Sequence, residues 1–150
     1  MKQFRFRLEG LLRMRKVEED RCVGILRAHQ GAVADAVQRR EQITSERDRT
    51  IDALRRLEQG MLEMEEILRH RRYLITLDNR GREIDAEVIR RRAELIESQR
   101  VAERAIRERQ LVERLRERRK EEHRLSSRRQ EIRDLDEVAA GSRIGKGAEV

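Results

Sequence analysis

Few residues of this chain are of a type that could do chemistry. The single cysteine, Cys22, and the histidines His29, His70 and His123 lie far apart in the sequence. A metal site needs several converging ligands, and a nucleophile needs a base within hydrogen-bonding reach. Facing helices would bring none of these four residues beside another. We therefore expect no catalytic residue, no metal and no cofactor, and we predict that the protein is not an enzyme.

The segment GSRIGK at residues 141–146 has a superficial likeness to a phosphate-binding loop. Its spacing is one residue short, Gly147 stands where Ser or Thr should follow the lysine, and a helix precedes it where a strand is required. We therefore do not expect nucleotide binding. Since this tail has three glycines and no apolar periodicity, residues 141–150 are predicted to be disordered.

Two stretches are strongly basic. Residues 1–16 hold six basic side chains and one acidic one, and residues 100–130 hold twelve basic and six acidic ones. Placed side by side, they would attract an acidic protein surface, anionic lipid or nucleic acid. Nucleic acid is the weaker choice, because single-strand binding normally uses stacking aromatic residues and only Phe4 and Phe6 are present. A solvated charged face is the alternative interpretation.

Long helices must position these stretches. The chain is 45% charged and 2% aromatic, so it has too few large apolar residues for a compact core. It has no proline, so its helices can run unbroken. Apolar residues recur at heptad intervals, so we predict an all-α fold in which two long helices form an antiparallel coiled-coil hairpin. We expect helix one at residues 4–58, a hinge at 59–61 around Gly60, and a longer helix two at 62–138.

The hinge position follows from the pairs of residues that would face each other. A hinge near Gly60 pairs apolar with apolar residues, whereas the alternative turn at residues 79–81 would fill the seam with charge. The expected pairs are Leu8 with Val112, Leu26 with Leu95, Val33 with Val88, Ile43 with Leu77, and Leu54 with Ile67 and Leu68. Met61 is also placed on the seam.

The two helices are unequal in length. With this hinge, residues from about 120 to 138 project past the amino terminus and helix one has no residues left to cover them. Leu125, Ile132, Leu135 and Val138 form an apolar stripe there, which implies a partner. Tyr73, the only tyrosine, either packs along the groove or serves as an exposed anchor for another protein.

The chain resembles a known family at two places. The opening FRFRLEGLLRMRKVEED, followed after the hinge by RHRRYLITLDN, is similar to the flagellar type III export protein FliJ, which has relatives in virulence secretion systems. The resemblance extends from Phe4 to about Val138. It implies a coiled coil like the central stalk of rotary ATPases, with no enzymatic activity.

The resemblance also implies partners. The terminal end would insert into the hexameric export ATPase FliI, and the hinge-proximal part would contact the export gate protein FlhA and export chaperones. The ATPase-binding candidates are Arg5, Arg7, Arg13, Leu125, Ile132 and Leu135. The gate-binding candidates are Ile43, Tyr73 and Leu77, whereas Arg80 and Ile84 occupy matched positions but differ in character from the family's residues.

The expected location is the cytoplasm, with peripheral association at the cytoplasmic face of the membrane beside the flagellar basal body. No run of residues reaches the length of a membrane span, and the opening lacks the apolar core of a signal peptide. We expect a monomer. Two other functions stay open: an arginine-rich nucleic-acid-binding coiled coil, whose binding would fall steeply with salt, and a homodimeric structural coiled coil, which a monomeric mass would exclude.

Overall fold

The computed structural model describes residues 4–60 and 63–145, with side chains through residue 140. Two helices account for most of them, α1 (Glu9–Gln59) and α2 (Met64–Gly145), and the described residues contain no strand. The two helices pack against each other in opposite directions. The predicted fold class, an all-α antiparallel coiled-coil hairpin whose second helix is the longer one, is confirmed.

The chain forms two compact units, and each helix contributes to both. Residues 20–104, here called the hairpin unit, contain the reversal of the chain. Residues 1–19 and 105–150, here called the terminal unit, combine the start of α1 with the carboxyl-terminal part of α2.

The first helix begins at Glu9, so the expectation that it starts near Phe4 was wrong. The Glu9 amide donates to the Phe6 carbonyl at 3.2 Å, and the helix continues from there. A helix start favours acidic over basic side chains because of its dipole. Glu9 meets this preference, whereas Arg5 and Arg7 would not.

The second helix continues to Gly145, beyond its expected end at residue 138. Residues 141–145, which we expected to be disordered, are therefore helical. A glycine inside a helix costs about 1 kcal/mol relative to alanine and does not by itself end the helix, and the segment lacks proline. Residues 146–150 lie outside the described residues.

The chain reverses between Gln59 and Met64. The Gly60 amide donates to the Leu57 carbonyl at 3.4 Å, and Gly60 does not adopt a positive φ. The expected seam position Met61 and the expected helix start at residue 62 lie outside the described residues. Residues 79–81, the alternative turn, are helical.

The seam between the helices follows the expected alternation of three and four residues. The buried positions are Leu12, Ala36 and Thr50 on α1, and Ile67, Leu77, Gly81, Val88, Ser98, Ala102 and Ala105 on α2. Ile43 and Leu77 line the same groove, in agreement with the expected register. The prediction that Leu68 lies on the seam was wrong: Leu68 is 45% exposed, and the preceding Ile67 takes the buried position.

Gly81 is a seam residue that faces Arg40. A Cβ atom built on Gly81 would lie 3.4 Å from the guanidinium carbon of Arg40, which is ordinary van der Waals contact. The Arg40 guanidinium lies over Gly81 and donates to the Asp85 carboxylate at 2.7 Å. The helix thus tolerates this glycine at a position where a long side chain crosses.

Replacing Leu77 by alanine tests the seam. Leu77 is fully buried, so we expect Leu77→Ala to lower the free energy of unfolding by about 2–5 kcal/mol. Ile75→Ala is the matched control: Ile75 is 62% exposed on the same helix, and we expect a change of about 0.5 kcal/mol or less. Urea unfolding followed by circular dichroism measures both, and equal losses would contradict this seam.

Candidate functional site

Ion pairs between the helices align the terminal unit. The Arg15 guanidinium lies 2.6 Å from the Glu108 carboxylate, and Arg109 lies 2.6 Å from Glu19. Hydrogen bonds from Arg109 to Glu19, and then to Glu113, raise the pKa of its guanidinium. These pairs fix α2 against the first turns of α1.

The cross-helix contacts of the terminal unit reach as far as His123. Glu9, the first residue of α1, lies 3.3 Å from Arg116. Ahead of α1, the Phe4 ring packs edge-on against the His123 ring with 5.6 Å between their centroids. Within the described part of the chain, no ion pair or ring contact joins residues 124–138 to α1 or to the segment before it.

Residues 124–138, here called the overhang, carry exposed apolar side chains. Leu125 is 42% exposed, Ile132 53%, Leu135 68% and Val138 70%. Each of these residues lies where the sequence predicted an uncovered stripe. That the stripe binds an ATPase stays a prediction.

The terminal unit that carries the overhang is basic overall, although residues 124–138 themselves hold four arginines and four acidic residues. The terminal unit has 19 Lys and Arg against 13 Asp and Glu residues, which is six of the seven net positive charges of the chain. Arg5, Arg7 and Arg13, the predicted basic contacts, are exposed. Arg124 instead pairs with Glu121 at 2.7 Å, which lowers the pKa of that carboxyl group. The surface is therefore both basic and apolar.

The hairpin unit holds the other predicted site. Tyr73 is 37% exposed, and its hydroxyl donates to the Glu46 carboxylate of α1, which raises the pKa of the phenol. Ile43 is half-buried at the rim of the groove. Leu77 is fully buried and so is not available to a partner while the helices are packed.

The two departures from the family pattern lie near this site. Arg80 is exposed and Ile84 is half-buried. Arg80 lies close enough to Tyr73 for its charge to oppose the rise in the phenol pKa. The accessible surface around Tyr73 therefore includes a cation.

Three ion pairs across the helices flank this part of the seam. Arg39 lies 2.9 Å from Glu87, Arg40 2.7 Å from Asp85, and Arg47 2.8 Å from Asp78. The hydrogen bond from Arg39 lowers the pKa of the Glu87 carboxyl group, and the same bond raises the pKa of Arg39. The helices are thus held by charge beside the seam as well as by burial within it.

Cys22 and His29, two of the residues whose types could do chemistry, lie among structural contacts between the helices. Cys22 is half-buried on the seam, and the His29 imidazole lies 3.7 Å from the Glu94 carboxylate across it. Over the described ranges, no group of three His, Cys, Asp or Glu residues is placed to hold a metal ion. In the same part of the chain, no helix is long and apolar enough to cross a membrane.

Some residues of these surfaces were not anticipated from the sequence. The four-and-three spacing from Cys22 onward places Arg40 on the seam as a residue that dilutes it, whereas nothing in the apolar pattern assigns Gly81 or Ser98 to the seam. The three-and-four alternation that begins at Ile67 reaches both Gly81 and Ser98, so continuing that pattern through polar residues would have found them.

The chain is similar to known proteins in sequence and in structure. Residues 4–147 match the sequence profile of the flagellar FliJ protein family. A solved structure of a protein described as a YscO homolog from Chlamydia trachomatis is similar, with a TM-score of 0.49 and 18% identity, covering 98% of this chain and 100% of that chain. No curated protein matches the chain.

The pair of Arg39 and Glu87 makes stability depend on pH. Because the folded-state pKa of Glu87 is lowered, its stabilising contribution is present above the unfolded value of 4.5 and is lost as pH falls through the folded value. We expect stability to drop as pH falls below the unfolded value, and Glu87→Gln to flatten that drop. Urea midpoints across this range measure it, and an unchanged slope in the variant would contradict the assignment.

Proposed function

Because this chain belongs to the flagellar FliJ protein family, we propose that it is a non-enzymatic coupling and escort component of the flagellar export apparatus. The match to this family over residues 4–147 supports a role in flagellar protein export. In the proposed role the chain inserts into the ring of the export ATPase FliI. It also links that ring to the export gate protein FlhA and to export chaperones.

The overhang is the observation that supports insertion into a ring. Full burial of an aliphatic side chain is worth about 1.5–3 kcal/mol, so the exposed Leu125, Ile132 and Leu135 offer a partner substantial binding energy. The overhang also has no second helix beside it in the described structure. A single helix is only about 10–12 Å wide, which suits a narrow opening.

The basic side chains of the terminal unit have a separate part in this proposal. Arg5, Arg7 and Arg13 are exposed and would steer the overhang toward an acidic ring entrance. Steering of this kind raises the association rate and weakens with added salt. The apolar stripe would then determine the dissociation rate.

The surface around Tyr73 supports contact with the export gate. Tyr73 is exposed and Ile43 is half-buried, and Tyr73 is fixed by its hydrogen bond to Glu46. An ordered aromatic residue loses little conformational freedom on binding, which favours a role as an anchor. In this proposal Leu77 is not a contact, and it holds the two helices together beneath the surface. Gate binding would also place the chain at the cytoplasmic face of the membrane.

Charged substitutions on the overhang test ring binding. We expect Ile132→Asp combined with Leu135→Asp to weaken binding to the purified ATPase at least about tenfold, since two apolar contacts are lost, without changing the helical circular dichroism. Ile89→Asp, at a residue that is 70% exposed in the hairpin unit, is the control and should bind normally. Undiminished binding of the double variant would overturn the role of the overhang.

Substitution of Tyr73 tests gate binding. We expect Tyr73→Ala to weaken binding to the cytoplasmic part of the gate protein by about tenfold, and Tyr73→Phe to weaken it less, because the ring is kept and only the bond to Glu46 is lost. Calorimetry with each variant measures the affinity. Equal affinity of wild type and Tyr73→Ala would remove this residue from the gate surface.

A further inference from the structure

A second apolar stripe lies on α2 outside the seam. This outer stripe consists of Leu68, Ile75, Ile89 and Ile96, which are 45%, 62%, 70% and 51% exposed. Their spacings are seven residues or a multiple of seven. Each residue directly follows a seam residue, so the four side chains lie about 100° around the helix from the seam.

The spacing of the outer stripe is typical of a coiled-coil contact. A seven-residue repeat keeps side chains aligned on a supercoiled helix, which a chance scatter of exposed apolar residues would not do. Ala86 and Ala93 are both exposed, and each lies three residues before an isoleucine of the stripe, Ile89 and Ile96 respectively. Residues three apart are neighbours on a helix surface. Alternating alanine and isoleucine thus gives a partner helix small and large positions to pack against.

Arginines without ion-pair partners lie beside the outer stripe and, at Arg82, within its seven-residue row. Arg69, Arg72, Arg82 and Arg92 are exposed and form no ion pair within the described part of the chain. Arg72 lies one helical turn from Leu68 and Ile75, and Arg92 lies one turn from Ile89 and Ile96.

Several acidic side chains near the stripe are already engaged. Asp78 and Asp85 pair with Arg47 and Arg40 of α1, and Glu97 lies 3.6 Å from Arg100. Glu65, three residues before Leu68, is exposed and forms no ion pair among the described residues, so Arg72, Arg82 and Arg92 outnumber the unpaired carboxylate beside the stripe.

We propose that the outer stripe of the hairpin unit binds an amphipathic helix of another protein whose apolar face is flanked by Asp and Glu. The heptad spacing sets the helical form of the partner, and the unpaired arginines set its charge. This surface uses none of the residues assigned above to the ATPase or the gate, so it goes beyond the proposed function. An experiment can therefore disprove binding at the outer stripe without disproving ring insertion, and the reverse also holds.

Charge and shape argue against two other occupants. A second copy of this chain would bring Arg82 and Arg92 of one copy near the same arginines of the other, which is unfavourable. A membrane surface suits a broad apolar face with Trp or Phe, whereas this stripe is a single row interrupted by Arg82. An amphipathic helix with acidic flanks matches both the apolar row and the unpaired arginines.

Designed peptides test the proposal on the full-length chain. The probe is a synthetic helix of about four heptads with Ile and Leu at its core positions and Glu at the flanking positions, and the matched peptide carries Lys in place of Glu. We expect the Glu peptide to bind and the Lys peptide not to bind, and binding of the Glu peptide to weaken with salt. Fluorescence anisotropy with labelled peptide measures the affinity.

Variants of the chain locate the binding. We expect Ile75→Asp combined with Ile89→Asp to lower affinity for the Glu peptide at least about tenfold, with unchanged circular dichroism because both residues are exposed. Leu135→Asp, at a residue that is 68% exposed in the overhang, should leave this affinity unchanged.

Four results would overturn the proposal. They are no binding of the Glu peptide, equal binding of both peptides, equal loss in the overhang variant, or no loss in the stripe variant. Two further results would assign the outer stripe to a different partner and would also overturn the proposal. One is binding to phosphatidylserine vesicles that Ile75→Asp with Ile89→Asp abolishes, and the other is a dimer mass that the same variant abolishes.

Discussion

The antiparallel pairing of α1 with α2 is the interaction on which the rest of the structure depends. This seam is thin: among the described residues, Leu12 and Leu77 are the largest side chains that are fully buried. Small residues such as Ala36 and Ala102 occupy other seam positions, and ion pairs such as Arg39 with Glu87 flank it. Because exposed ion pairs contribute about 0–1 kcal/mol each, stability is spread along the helices.

The same pairing decides which side chains remain free to bind partners. In the terminal unit, α1 starts at Glu9 and the segment before it reaches His123 through Phe4, so α2 continues past these contacts with an exposed stripe. In the hairpin unit, the seam buries Leu77 and leaves Tyr73 37% exposed. The pairing thus leaves the apolar residues of both candidate surfaces exposed on α2.

The fold was predictable from the sequence because the heptad pattern is a local signal and a hinge near Gly60 pairs apolar residues. The start of α1 was not, since the segment around Phe4 is placed by contact with His123. The sequence placed both Ile67 and Leu68 opposite Leu54, because two adjacent apolar residues do not show which one faces the other helix, and the structure buries Ile67. Gly81 has the chemistry of a turn residue, and its place in the seam depends on Arg40 of the other helix.

The candidate surfaces were predictable to different degrees. The exposed overhang follows from unequal helix lengths, whereas the burial of Leu77 conflicts with the contact role that family resemblance implied. Intrachain disulfide formation between Val33→Cys and Val88→Cys, in a Cys22→Ser background, tests the pairing itself most directly. Rapid oxidation to a cross-linked monomer is the predicted result. Cross-linked dimers, or no cross-link, would contradict a hairpin closed within one chain.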